Sequence, residues 1–87
     1  MDANAAIEAG KLGQAINELT RAIALCQEHI DGGSSFTGKA SIQDPAQGRD
    51  WIEFPAMSKE ESAGFFGAAR SVFEARLDAL NKQLSAL

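Results

Sequence analysis

Between Ala5 and Ile30 the residues Ala5, Ala9, Leu12, Ile16, Leu19, Ile23, Cys26 and Ile30 follow one another at alternating spacings of four and three. At 3.6 residues per turn this places all eight on one side of a helix, so the segment can bury its apolar side only as a long amphipathic helix lying on a partner element. The ends agree with the periodicity. Asp2 is suited to cap the first turn, and Gly32 and Gly33 offer a left-handed residue without a Cβ penalty. A helix over residues 3–31 is therefore expected. Gly10 and Gly13, each costing about 1 kcal/mol relative to Ala inside a helix, are the places where it would kink or break.

A second helix is announced by Ser58-Lys59-Glu60-Glu61. The Ser hydroxyl and the carboxylate three residues later form a capping box, and Glu60 favours the positive end of the helix dipole. Ala63, Phe66, Phe73, Leu77, Leu80, Leu84 and Leu87 carry an apolar seam to the chain end, interrupted by Arg70, with Phe65 and Val72 widening it on one side. This predicts a helix over residues 59–86 whose broad face suits a bundle with several neighbours.

Between the helices, residues 32–57 form the hairpin or loop. Two extended runs, SFTGKASI and RDWIEF, flank QDPAQG, whose Asp-Pro start and Gly end are turn chemistry, so an irregular β-hairpin is expected. Pro55 keeps Phe54 extended and ends the second run there.

The stretch GGSSFTGKAS, residues 32–41, falls one residue short of a phosphate-binding loop. Ala40 stands where the metal-binding hydroxyl belongs, and the preceding segment is helical where such a loop leaves a buried strand. No nucleotide or other cofactor is expected. The other polar residues also read as structural. His29, beside Glu28 and Asp31, suits the negative end of a helix dipole, and neighbouring helical positions point apart. Cys26 lies on the apolar seam as a small hydrophobe, and a lone cysteine builds neither an internal disulfide nor a zinc site. Catalytic and metal-ligating residues are accordingly assigned to none of the chain, and no enzyme is expected.

Gly10, Ala15, Ile16, Ala22, Ile23 and Leu25 make AGKLGQAINELTRAIAL resemble the end of the first helix and the second helix of a tetratricopeptide repeat. The likeness covers residues 9–25, QEHIDGG replaces the usual closing Pro, and no second copy follows. Stacked repeats bury their faces on neighbours, so the resemblance implies no repeat fold here. The acidic two-helix plan is also similar to small helical-hairpin proteins secreted in pairs, whose tight turn carries Trp-x-Gly. Here Trp51-Ile52-Glu53 sits inside a long connection, which fails that assignment at its defining feature.

A chain of 87 residues has room for one small domain, residues 1–87, and a single core of that size is marginal. The formal charge of −4 disfavours phosphate-backbone binding, so nucleic acid is not an expected partner. No apolar run of membrane-spanning length and no signal-peptide pattern stand in the sequence, which leads to the expectation of a cytoplasmic protein without a membrane partner.

The expected fold is mainly α, two long antiparallel helices joined by the hairpin-like connection and assembled as a dimeric helical bundle. Ile16, Leu19, Ile23, Phe66, Phe73, Leu77 and Leu80 are the expected core and dimer interface. Trp51, Ile52, Phe54 and Arg70 are the expected partner-binding residues. Aromatics are favoured anchors, and a charge on an apolar seam needs a carboxylate, for which Glu18 or a Glu from another chain is the candidate. The functional expectation is a small acidic homodimer acting in protein–protein interaction or assembly, as an adaptor, chaperone-like or mobile-element accessory protein that binds itself and another protein. The alternative is a small ligand-binding or catalytic protein whose site forms between subunits around Arg70, His29 and the hairpin.

Overall fold

The computed structural model describes residues 2–87. Helix α1 spans Ala3–Asp31, strands β1 and β2 span Gly38–Asp44 and Gly48–Phe54, and helix α2 spans Lys59–Ser85. Helix α1 passes Gly10 and Gly13 unbroken; its burial begins at Leu12, and packing of the seam from there on outweighs two glycines at about 1 kcal/mol each. The Asp2 carboxylate accepts the Ala5 N–H at 2.7 Å, and the left-handed residue after the helix is Gly33, at φ 64°, while Gly32 stays right-handed. In α2 the capping box is complete: the Ser58 hydroxyl accepts from Glu61 N–H and the Glu61 carboxylate accepts from Ser58 N–H.

Two contacts give the relative direction of the helices. His29 stacks on Phe66, and Gln27 bonds to Arg70. Moving toward the N-terminus of α1 is moving toward the C-terminus of α2, so the two run antiparallel. Continued along the seam, this register sets Leu19 level with Leu77, Ile23 with Phe73, and Ile16 with Leu80. Leu12, Leu19 and Cys26 are buried, and the remaining members of the α1 seam, with Ala63, Phe66, Phe73, Leu77, Leu80 and Leu84 of α2, are half-buried. Leu87 is exposed. Two helices cover each other along a line, which buries Leu12, Leu19 and Cys26 and leaves the flanks of the other seam residues open.

The hairpin is more regular than the sequence suggests. Its strands pair antiparallel from Gly38↔Phe54 to Asp44↔Gly48, closed by Asp44, whose carboxylate accepts the Ala46 N–H at 2.8 Å, and by Gly48 at φ 86°. Strand β2 ends at Phe54, before Pro55. Strand β1 begins later than the extended run because Phe36 is diverted from the ladder. Its N–H bonds to the Ser62 hydroxyl and its carbonyl accepts from Met57 N–H. Beyond that base the hairpin backbone approaches neither helix.

The consequence is a flat molecule, 50 × 36 × 14 Å, little thicker than one helix. Its radius of gyration is 16.5 Å, where a compact chain of this length has about 12 Å.

Candidate interaction surfaces

At the end of the helical pair where the connection leaves α1, four phenylalanines meet. Phe36 stacks on Phe65 at 4.7 Å between ring centroids and meets Phe54 and Phe66 edge-on at 5.4 and 6.0 Å. Phe54 also meets Phe65 edge-on at 5.8 Å. Beneath them Ser62 is fully buried, its hydroxyl 2.8 Å from Phe36 N. Edge-on and offset rings bring the positive rim of one against the negative face of another, which fixes their geometry beyond simple area burial. This cluster attaches the hairpin to both helices, since His29 of α1 stacks on Phe66 at 5.5 Å.

Strand alternation then divides the expected partner-binding residues. Ile52 and Phe54 share one hairpin face with Ala40 and Ile42, and that face leads into the ring cluster through Phe54. Trp51 lies on the other face with Lys39, Ser41 and Glu53, and is 59% exposed. Arg70 belongs to neither. It is half-buried in the helical seam, where it bonds to Gln27 of α1, and its Nε lies 3.3 Å from Glu74 Oε1, one turn along α2, without hydrogen-bond geometry. The partners are thus Gln27 and Glu74. Of the two carboxylates expected from the sequence, Glu18 or a Glu from another chain, Glu18 lies about two turns of α1 away, too far along the seam to reach.

The other polar candidates take structural positions. His29 Nδ1 and Ser34 Oγ share a hydrogen bond of 2.9 Å beside the ring cluster. Cys26 is buried in the seam. GGSSFTGKAS runs from a helix into an antiparallel strand, with Lys39 and Ala40 inside β1, the reverse of the order in a phosphate-binding loop.

A further surface, not evident from the seam pattern, lies on α2. Phe65, Ala68, Val72, Ala75 and Ala79 recur at spacings of three and four, and all five are exposed. At 100° per residue this stripe is centred about 150° around α2 from the seam that faces α1. Phe65 and Val72 therefore do more than widen the seam: with three alanines they form a second apolar face turned away from α1. The outward stripe of α1 is different in kind, because Lys11, Gln14, Glu18 and Arg21 stand between the exposed Ile7 and Leu25. Through the contact of Phe65 with Phe54, the outer face of α2 continues onto the hairpin face bearing Ile52 and Ile42.

Among the described residues no helix is long and apolar enough to cross a membrane. No family model, curated protein or solved structure matches the chain.

Proposed function

We propose that this protein works by association: it is a homodimeric interaction or assembly module whose helices pair with a second copy and whose hairpin arm presents Trp51 to another protein. The observation that carries the reading is the area left uncovered. The chain exposes 6287 Å², where a compact monomer of 9.2 kDa exposes about 4,900 Å². The surplus is about 1,400 Å² per chain, or about 2,800 Å² for two, inside the range of roughly 2,000–5,000 Å² that obligate homodimers bury. Large apolar side chains populate this surplus, including Ile42, Ile52, Phe65 and Val72. Exposed large apolar side chains gathered on one face favour an interface there.

Trp51 supports the second half of the proposal. It stands on the hairpin face opposite Phe54, away from the ring cluster, flanked by Lys39 and Glu53. A large aromatic with a polar rim is the composition of an interface anchor.

Thermal melting at several protein concentrations tests the reading. Association coupled to folding makes the melting temperature rise with chain concentration, so a rise of several degrees per hundredfold in concentration is expected. A midpoint unchanged over that range would refute the dimer.

A further inference from the structure

We infer that the outer stripe of α2 is the seat of the second copy, in an antiparallel α2–α2 contact with its two-fold axis at Val72; the inference rests on the homodimer proposed above and names its face and orientation. Extended by one step at each end, the stripe reads Glu61, Phe65, Ala68, Val72, Ala75, Ala79, Lys82, all exposed. It covers about 30 Å of helix.

This order is complementary to its own reverse. With Val72 on the axis, Val72 meets the partner's Val72, and Ala68 meets the partner's Ala75. Phe65, the one large ring, meets the partner's Ala79, where the missing side chain leaves room. At the ends, Glu61 meets the partner's Lys82. A parallel pairing would oppose Phe65 to its own copy and set Glu61 against Glu61 and Lys82 against Lys82. Both charged side chains have partners within the chain, Glu61 in the capping box and Lys82 with Asp78 at 3.0 Å, and both are exposed. Exposed pairs add little affinity, but like charges placed opposite are penalised, so the ends select orientation while the apolar centre supplies attraction.

Two further features fit. Ala68, Ala75 and Ala79 let the helix axes approach closely, and antiparallel axes oppose their dipoles favourably. A two-fold contact closes after two copies, so it uses the face without leaving a free end for further growth.

Sedimentation equilibrium and disulfide trapping of the full chain test the inference. Val72→Asp is expected to reduce the species from two chains to one, at least a hundredfold loss in association, while far-ultraviolet circular dichroism keeps its helical signal, since Val72 is 56% exposed within a single chain. Ala75→Glu, at the neighbouring stripe position, is expected to do the same, and Leu25→Asp on α1 to leave the dimer intact. In a Cys26→Ala background, Val72→Cys is expected to form an interchain disulfide, as is Phe65→Cys combined with Ala79→Cys, while Ala79→Cys alone is not. A wild-type monomer would overturn both the homodimer and this face. A dimer that survives both Val72→Asp and Ala75→Glu would overturn the face and leave the homodimer standing. Self-trapping of Ala79→Cys would overturn the antiparallel orientation, and loss of helicity in both acidic variants would place the stripe inside the chain's own fold.

Discussion

The backbone N–H of Phe36 donates to the fully buried hydroxyl of Ser62, 26 residues further along the chain, at 2.8 Å. This one bond joins the strand-bearing connection to the first turns of α2 and sets where the ring cluster forms. Replacing Ser62 by Ala would leave a shielded N–H without an acceptor, a cost of about 1–3 kcal/mol. Ser62→Ala is expected to lower stability by that amount in urea melts and to speed hydrogen exchange at Phe36 and Met57, whose N–H bonds to the same residue's carbonyl. An unchanged exchange rate at both amides would mean the bond does not hold the hairpin base.

Arg70 occupies a seam position that an apolar residue would fill, and its hydrogen bond to Gln27 and ion pair with Glu74 only partly satisfy it, the Nε lacking a hydrogen-bond partner. Replacing a part-buried charge by an apolar residue of similar length is often neutral or stabilising. Arg70→Met is expected to leave stability unchanged or raise it by about 1 kcal/mol in thermal melts. A loss beyond about 2 kcal/mol would show that the guanidinium contributes net stability.

Glu61 has its carboxyl held below the ordinary Glu range, first by its hydrogen bond from the Ser58 backbone N–H and then by the Ser58 side chain. A carboxylate depressed in the folded state contributes stability above its unfolded value, about 4.3, and loses it as pH falls through the lower folded value. The melting difference between wild type and Glu61→Ala is therefore expected to be full at pH 6, to shrink below about pH 4.5, and to be smallest near pH 3. A difference that grew toward acid pH would contradict the capping role.

Much of this fold is legible in the sequence because the information is periodic. The α1 seam from Ala5 to Ile30 and the Ser58–Glu61 box fix where each helix lies and which side it buries. The start of β1 is not legible locally, because it depends on Phe36 finding Ser62 across the chain. The outer face of α2 was hidden for another reason: three of its five apolar members are alanines, which read as helix formers until their neighbours Phe65 and Val72 are seen to point away from α1. Grouping Trp51 with Ile52 and Phe54 failed similarly, since proximity in sequence becomes opposition across a strand.

Trp51 is the only tryptophan, which makes its surroundings directly readable. Its face of the hairpin lies apart from both the ring cluster and the outer stripe of α2, so its fluorescence in the purified protein is expected to be red-shifted and readily quenched by iodide. Trp51→Ala is expected to change stability by less than about 0.5 kcal/mol, as for an exposed surface position. A blue-shifted, quencher-resistant emission would mean that the second copy covers the hairpin arm, leaving no free anchor for another protein.

The central claim is that a flat chain, 14 Å thick, completes its burial with a second copy of itself. Sedimentation equilibrium of the unmodified protein over a micromolar range addresses it most directly. The account predicts a species of twice the 9.2 kDa chain mass, dissociating only on dilution. A single-chain mass throughout that range, with a cooperative melt, would contradict it.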